Sequence, residues 1–260
     1  IRPGTISVDA GFGFAFPALE MAIGALAEIT PGQGIAAAGI FRSHHAGVAG
    51  LTVEALAERG LVALFFTNSP GAMAPWGGNR ALFGTNPIAF ACPAAEGGPV
   101  VVDVSLSKVA RGKIMAASQK GETIPEGWAF DRDGKATTDP KAALAGTMAP
   151  LGDAKGTALA LMVELLAAGL TGANYAHEQT SFFDDKGPPP GTGQLLIAID
   201  PAAFGQGAVA RFAEMAQAVA GTGGARLPGA RRRDMRRRFL EDGIPADPKL
   251  VDEIRRIGAG

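Results

Sequence analysis

The sequence predicts a mixed α/β fold, and three patterns of apolar residues support that class. Residues 34–66 read as an apolar strand, an amphipathic helix and a second apolar strand, which is the order of a strand–helix–strand unit. Further short apolar runs at 88–91, 100–104 and 195–199 are typical of buried strands. Helical spacing of Leu19, Ile23 and Leu26 indicates that helices cover such a sheet.

The first half of the chain alternates strands and helices. In order, we expect strand and loop over residues 1–16, a helix over 17–29, a strand over 34–41, a helix over 48–59 and a strand over 61–66. Pro17 favours the start of the first helix, since its fixed φ suits the first turn. Gly60 favours the end of the second, because glycine adopts the left-handed C-terminal cap.

The second half is richer in turns. We expect strands over 88–91 and 100–104, a helix over 108–119, a polar region over 121–150 with a short helix after Asp139-Pro140, a fully buried helix over 158–168, a loop over 188–191 and a strand over 195–199. Asp200-Pro201 and Asp247-Pro248 each combine an N-cap with a first-turn proline, so each predicts a helix.

Composition excludes several classes of protein. The 260 residues are 47% hydrophobic and 19% charged, with a net charge of −1, so we expect a folded protein that binds neither nucleic acid nor an anionic membrane. Cys92 is the only cysteine, which excludes an internal disulfide and favours the cytoplasm. With three histidines at no metal-ligand spacing, we expect no metal site.

Glycine-rich segments do not form a dinucleotide-binding fingerprint. Gly11-Phe12-Gly13 lacks the third glycine that such a fingerprint requires, so any nucleotide site must be of another kind. Residues 152–156 precede the predicted buried helix, where loop amides and Lys155 can hold a phosphate. The alternative is an ordinary glycine-rich turn with a solvated lysine. The basic run at 231–238 is either a solvated helix face or a contact for a 2′-phosphate or a substrate.

Two adjacent histidines provide the best catalytic candidates. His44 and His45 fall between a predicted strand and a predicted helix, where α/β proteins collect active-site groups. A helix N-terminus favours neutral imidazole and brings its pKa into a working range. The alternative is a histidine used for capping or packing. His177 is predicted to be structural or at the surface.

A series of short motifs occurs in one order along most of the chain. They are Ser43-His44-His45-Ala46-Gly47, Thr67-Asn68-Ser69-Pro70, Ala74-Pro75-Trp76-Gly77-Gly78, Gly84-Thr85-Asn86-Pro87, Asp103-Val104-Ser105, Ala110-Arg111-Gly112-Lys113, Thr138-Asp139-Pro140, Pro150-Leu151-Gly152, Lys155-Gly156 and Arg226-Leu227-Pro228-Gly229. On these motifs the sequence resembles the type 2 malate/L-lactate dehydrogenase family. That family includes ureidoglycolate and sulfolactate dehydrogenases and the Δ1-piperideine-2-carboxylate/Δ1-pyrroline-2-carboxylate reductases.

The resemblance implies a non-Rossmann nicotinamide-binding fold with a large mixed, mostly antiparallel sheet flanked by helices. It implies NADPH or NADH as cofactor, with NADPH favoured, and a homodimer. We expect residues 1–220 to form the nicotinamide-binding core and 221–260 a helical segment packed on it. The family's N-terminal helical segment, which carries a Ser and an Arg that help bind substrate, has no counterpart here. Since the sequence begins with Ile1, we expect the 260 residues to be incomplete.

The resemblance also implies roles for individual residues. His45 corresponds to the proton donor and acceptor. Positions that contact the cofactor are Ser43, Ser69, Asp103, Val104, Ser105 and Lys155, with Arg226 and Gly229 in a segment near it. His44 and Thr85 are expected to contact the substrate.

Three local features bear on the substrate. His44 stands where asparagine is commoner, and Asp153-Ala154 stands where Gly-His is frequent. Residues 103–108 resemble the cyclic-imine reductase branch more than the malate branch. We therefore expect a reductase of Δ1-pyrroline-2-carboxylate or Δ1-piperideine-2-carboxylate. The alternatives are a malate/L-lactate-type 2-hydroxy acid dehydrogenase and, from another class, an inactive dimeric binding remnant.

Overall fold

A computed structural model describes residues 2–94 and 98–259 of the chain. Its strands are β1 (Thr5–Asp9), β2 (Ile35–Ser43), β3 (Val62–Thr67), β4 (Ile88–Cys92), β5 (Val100–Val104), β6 (Ala129–Phe130), β7 (Thr147–Met148) and β8 (Thr192–Ile199). Its α-helices are α1 (Ala15–Gln33), α2 (Ala49–Ala57), α3 (Arg111–Lys120), α4 (Pro140–Ala145), α5 (Ala154–Glu164), α6 (Ala208–Ala220), α7 (Ala230–Asp242) and α8 (Pro248–Gly258).

Six of these strands form one sheet in the order β1-β2-β8-β3-β4-β5. Only β1 and β2 pair in parallel, and the other four pairings are antiparallel. The predicted mixed, mostly antiparallel sheet is therefore confirmed. The strand–helix–strand unit is β2–α2–β3, but β8 lies between its two strands and pairs antiparallel with both. A long connection thus returns from the C-terminal half to complete the middle of the sheet.

The register of the sheet brings several chain segments to one edge. Thr192, at the start of β8, pairs with Ser43 at the end of β2. Gln194, two residues further along β8, pairs with Thr67 at the end of β3. Ile88, which begins β4, pairs with Val104 at the end of β5. Loops that are distant in sequence therefore leave the sheet side by side, and this edge carries the candidate site.

Alternating side chains along the central strands divide the core into two layers. Phe65 and Leu196 point to the face that packs against α1 and α2, and both are fully buried. Phe66 and Leu195 point to the opposite face, which packs against α3 and α5. The alternation follows from the two-residue period of a strand, so a sheet covered on both sides requires nearly continuous apolar strands.

Helix α5 departs from its prediction. Its sequence is apolar on every side, which predicted burial all round. In the structure only one side packs on the sheet, with Ala160 and Val163 fully buried. The other side, continued by the first residue of the π-helical turn Leu165–Gly169, leaves four large apolar side chains exposed, and these are Leu159, Leu161, Met162 and Leu165. The prediction of full burial was wrong for this single chain, and an apolar surface remains to be covered.

The C-terminal region also differs in part. Asp200-Pro201 begins only the short 3-10 helix Pro201–Phe204, because Gly205 and Gly207 have φ of 114° and 99° and interrupt the helical path before α6. Asp247-Pro248 begins α8 as predicted, and the Asp247 carboxylate accepts a hydrogen bond from the Lys249 amide at 2.9 Å.

The last three helices lie at the surface. None of the residues in α6, α7 and α8 is buried, and the apolar side of α8 is exposed. Arg232 of α7 pairs with Glu54 of α2 at 3.0 Å, and Arg233 donates to the Pro99 carbonyl at 2.9 Å. The division of the chain at residue 220 stays a prediction. No helix in the described ranges is long and apolar enough to cross a bilayer.

Candidate active site

A cavity of about 890 Å³ opens at the sheet edge where the loops meet. Six residues singled out from the sequence line it, and they are His44, His45, Ser69, Thr85, Asp103 and Ser105. These residues come from the end of β2, the end of β3, the approach to β4 and the end of β5. The sheet topology thus brings together side chains that are up to 61 residues apart in the sequence.

His45 lies between β2 and α2, and one ring nitrogen is already engaged. Its Nδ1 accepts a hydrogen bond from the Gly47 amide at 3.0 Å, in a turn that Gly47 permits with φ of 69°. The neutral ring therefore carries its proton on Nε2. Desolvation lowers the pKa of His45, which is a different cause from the helix N-terminus expected from the sequence.

His44 packs between two aromatic rings that belong to different segments. The ring centroids of Phe14 and Phe182 lie 5.6 and 4.9 Å from that of His44. The His44 carbonyl accepts a hydrogen bond from Gln194 Nε2 of β8 at 3.0 Å, which fixes the backbone beside His45. Desolvation, and secondarily the charge of His45, lowers the pKa of His44. Neutral imidazole is therefore favoured at both positions.

Hydroxyl groups line the opposite wall and are bonded to one another. Ser69 Oγ accepts from the Thr85 amide at 3.1 Å and lies 3.4 Å from Thr85 Oγ1. Ser105 Oγ donates to the Thr85 carbonyl at 3.3 Å and lies 2.7 Å from Ser107 Oγ. Because each hydroxyl is held by a partner, this wall presents a fixed array of donors and acceptors.

Asp103 closes the cavity beside the start of α2. Its Oδ2 accepts a hydrogen bond from the Gly50 amide at 2.8 Å. A carboxylate is stabilised at a helix N-terminus by the unpaired amides there. A Cβ at position 50 would meet Asp103 Oδ2 at 3.0 Å and Arg232 Nη1 at 2.4 Å, so a larger residue there would require both side chains to move.

Arg111 belongs to the motif Ala110-Arg111-Gly112-Lys113, for which the sequence predicted no role. It begins α3 and lines the same cavity as His45. Its Nε is buried without a hydrogen-bond partner among the described residues, and desolvation lowers the pKa of the guanidinium. A buried cation with an unused donor is suited to bind an anionic group. A permanent cation in a matched motif was the signal that could have identified it.

Two phenylalanines were also missed. Phe182 contacts the His45 ring edge-on with centroids 5.2 Å apart, and the Phe183 ring lies 5.9 Å from the Arg111 guanidinium carbon. Both line the cavity, together with Phe14 and Phe16. Adjacent aromatic residues in a loop rich in glycine, proline and aspartate are unusual enough to have drawn attention, since loops normally expose polar side chains.

The remaining predicted residues lie elsewhere. Ser43 is fully buried behind the cavity, Val104 is 41% exposed outside it, and Lys155 is exposed on the turn that begins α5. Arg226 and Gly229 line a second cavity of about 900 Å³, next to α2 and α7. Val48 lines both cavities, so the two adjoin. Among the described residues, no cluster of three metal-ligating side chains forms.

The site residues occur along the chain within a stretch that matches a known family. The family model described as malate/L-lactate dehydrogenase matches residues 1–255. The chain belongs to the malate/L-lactate dehydrogenase family. The resemblance stated from the motifs is therefore confirmed, and so is the prediction of an enzyme, because the family's characterised members are dehydrogenases and reductases.

Two relatives of known activity illustrate the range within this family. The chain is 52% identical over 255 residues to the (2R)-3-sulfolactate dehydrogenase (NADP(+)) of Chromohalobacter salexigens, covering 98% of this chain and 76% of the relative. It is 44% identical over 263 residues to the Δ1-pyrroline-2-carboxylate/Δ1-piperideine-2-carboxylate reductase of Pseudomonas putida, covering 99% of this chain and 76% of that protein.

Solved structures of the family have the same fold. The Δ1-piperideine-2-carboxylate reductase of Pseudomonas syringae superposes with a TM-score of 0.92 at 41% identity, over 98% of this chain and 78% of that one. The sulfolactate dehydrogenase of Methanocaldococcus jannaschii superposes with a TM-score of 0.87 at 31% identity, over 99% and 76% of the two chains. The predicted fold class is confirmed by these similarities.

Proposed function

We propose that this family member is an NADPH-dependent reductase of a cyclic imino acid, acting on Δ1-pyrroline-2-carboxylate or Δ1-piperideine-2-carboxylate. One observation carries the proposal. Of the described residues that line the cavity, Arg111 is the only permanent cation, and the Phe183 ring lies 5.9 Å from its guanidinium carbon. A substrate with one carboxylate and an apolar ring matches one cation set in an apolar wall.

In the proposed reaction, the chain supplies binding and a proton. Arg111 holds the carboxylate, and the phenylalanines exclude water from the ring. Bound NADPH would supply the hydride that the imine carbon gains. His45, protonated at both ring nitrogens, gives its Nε2 proton to the imine nitrogen as that atom gains electron density, and the product is the cyclic amino acid. The hydrogen bond from the Gly47 amide to Nδ1 holds the neutral ring, and it breaks when Nδ1 is protonated.

The two adjoining cavities suit an extended dinucleotide. The first offers the hydroxyls of Ser69 and Ser105 beside His45. The second offers Arg226, Arg231 and Arg236, which make no ion pair with any residue in the described ranges. Unpaired guanidinium groups favour the additional 2′-phosphate of NADPH over NADH. The NADP(+) in the name of the Chromohalobacter relative supports the same choice.

A second candidate is a (2R)-3-sulfolactate dehydrogenase, favoured by the 52% identity to that relative. Sulfolactate carries a carboxylate and a sulfonate, so its binding requires a second cationic group. Protonated His44 is the group in this cavity that could serve, yet its pKa is lowered by desolvation. The neutral ring makes the dianionic substrate the weaker match.

Initial rates separate these candidates. Purified protein is assayed by NADPH absorbance with Δ1-pyrroline-2-carboxylate, Δ1-piperideine-2-carboxylate, pyruvate and oxaloacetate, and with NADP+ plus (2R)-3-sulfolactate. We expect the highest kcat/KM with a cyclic imine. A higher kcat/KM with sulfolactate would select the second candidate. Absence of turnover with all five, in protein that binds NADPH, would favour an inactive binding remnant.

We also propose that the protein is a cytoplasmic homodimer. The exposed apolar side of α5 supports the dimer, since large contiguous apolar surfaces are usually covered by a partner. A second copy is the partner that the family resemblance implies. The single, buried Cys92 supports a reducing compartment.

A further inference from the structure

Glu164 is a buried carboxylate with no assigned role. It ends α5, directly before the single π-helical turn Leu165–Gly169, and only 3% of the residue is exposed. Within the described ranges, no cation lies within ion-pair distance of it. Burying a charged group without a cation is costly, so the protein must stabilise this carboxylate by other means.

Three N–H donors surround the carboxylate. Oε1 accepts from Asn68 Nδ2 at 2.9 Å and from the Ala176 amide at 2.6 Å, and Oε2 accepts from Asn86 Nδ2 at 2.7 Å. These donors come from three segments that are far apart in the sequence. Charge-assisted hydrogen bonds are stronger than neutral ones, so one carboxylate ties the three segments together.

Each of the three segments continues into the cavity wall. Asn68 precedes Ser69 after β3, and Asn86 follows Thr85 before β4. Ala176 begins the short 3-10 helix that leads to Gln179 and the two phenylalanines of the wall. Glu164 does not line the cavity. It is bonded, however, to the chain neighbours of two side chains that do.

The geometry of Asn86 makes this support necessary. Its φ is 39°, in the left-handed region that asparagine tolerates better than most side chains. Its Nδ2 also donates to the Ala160 carbonyl at 3.0 Å, so two bonds to α5 hold the turn in this conformation. Asn68 is held equally, because its Oδ1 accepts from the Gly193 amide at 3.0 Å.

We infer that Glu164 is a positioning residue for the reaction proposed above. Acting through Asn68 and Asn86, its carboxylate fixes the separation of Ser69 and Thr85, and so the alignment of cofactor and substrate. The inference rests on the proposed function for the identity of the two ligands. It adds that this alignment depends on a carboxylate outside the cavity.

Glu164→Gln tests the inference, because it keeps the shape of the side chain but replaces one acceptor oxygen with a donor. We expect kcat/KM for the imine to fall by roughly 10- to 100-fold, the size of effect that a small misalignment of reacting groups produces. The Kd of NADPH, measured by the fluorescence of the bound dinucleotide, should rise as well. The matched control is Val163→Ala, a buried neighbour on α5 outside the cavity, which should lower Tm while leaving kcat/KM and Kd unchanged.

A double-mutant cycle distinguishes positioning from general destabilisation. In the Thr85→Ala background, Glu164→Gln should cost much less in kcat/KM than in the wild type, because the group it positions is gone. Two results would overturn the inference. One is an equal decrease in kcat/KM from Glu164→Gln in both backgrounds. The other is a decrease in kcat/KM in Val163→Ala as large as that in Glu164→Gln, when both variants have the same Tm.

Asn86→Gly keeps the test decisive if Glu164→Gln does not fold. Glycine adopts the φ of position 86 without strain, so this change removes only the amide that reaches Glu164 and Ala160. We expect the same rise in the Kd of NADPH and the same loss in kcat/KM. Failure of the wild-type protein to reduce any imine would contradict the proposed function, whereas an unchanged NADPH Kd in both variants would contradict the role of Glu164.

Discussion

The proton transfer proposed for His45 depends on a balance between burial and hydrogen bonding. Desolvation lowers its pKa, so the free enzyme holds the imidazole neutral at and above neutral pH. The hydrogen bond from the Gly47 amide reinforces the neutral form by occupying Nδ1. A neutral resting imidazole is a base for the oxidative direction and must gain a proton before it can act in reduction.

The pH dependence of activity follows from this lowered pKa. The proposed reduction requires protonated His45, so its kcat/KM should decrease as pH rises through a value below the pKa of an ordinary histidine. Oxidation of the cyclic amino acid should increase over the same interval. Initial rates in both directions across pH 5 to 9 would check the opposite slopes, with about a tenfold change per pH unit on the limiting limb. Parallel slopes would exclude His45 as the shared group.

Removal of the imidazole should be far more damaging than loss of a surface histidine. We expect His45→Ala to lower kcat/KM by about 10²- to 10⁴-fold, the usual contribution of a general acid. His177→Ala is the matched control, since His177 is exposed and stacks on Tyr175 outside the cavity. Comparable activity in the two variants would show that another group donates the proton.

Arg111 should determine substrate binding through its charge and its shape. We expect Arg111→Gln to lower kcat/KM by roughly 10- to 150-fold, the range for losing a charged hydrogen bond, mainly by raising KM. Arg111→Lys should fall between this variant and the wild type, because lysine keeps the charge but not the bidentate geometry. Steady-state kinetics with the imine measures both. An unchanged KM in Arg111→Gln would place the carboxylate elsewhere.

At the level of elements, the turn that begins α5 was read as a possible phosphate loop. In the structure a Cβ at Gly156 would lie 1.9 Å from the Leu151 carbonyl oxygen, so the turn closes tightly on itself. The glycine is thus required by backbone packing. Lys155 remains exposed beside it, and its predicted contact with the cofactor stays a prediction.

The loss of stability caused by a side chain at position 156 can be measured. We expect Gly156→Ala to lower the free energy of unfolding by about 1–3 kcal/mol or more, since the backbone must shift. Gly24→Ala, in the middle of α1 with no atom within 4 Å of the added methyl, should instead stabilise the protein by up to about 1 kcal/mol. Urea unfolding of both variants provides the comparison. Equal effects would mean that the turn is not tight in solution.

On the scale of the whole molecule, one edge of the sheet gathers the candidate groups that line the cavity with His45. Strands β2, β3 and β5 end there, and β4 and β8 begin there, because their pairings alternate in direction. Helices α1 and α2 cover one face and α3 and α5 the other, so the exposed edge is the place where polar side chains can converge.

The exposed side of α5 should be the contact between two copies. We expect light scattering to give the mass of a dimer, and Leu165→Lys to shift it towards a monomer, because a lysine at a covered position must be desolvated. Phe204→Lys is the control, as Phe204 is 81% exposed on a different surface. A monomeric wild type, or dissociation by both variants alike, would contradict the assignment of this surface.

The sequence by itself determined most of the strands and helices, and the family. Apolar runs fix the strands locally, and Asp139 and Asp247 cap their helices through bonds to residues two positions away. The order of the motifs fixed His45 as the leading candidate without any knowledge of its surroundings. These features depend on short-range patterns or on order, both of which are visible in a sequence.

Only the tertiary structure decided which side chains meet. The insertion of β8 between β2 and β3, the turn of Arg111 into the cavity and the link from Glu164 to Asn68 and Asn86 join residues that are far apart in the chain. No local pattern encodes such contacts, because they arise from the pairing register and the packing of whole elements. The same packing left one apolar side of α5 uncovered, which composition alone had predicted to be buried.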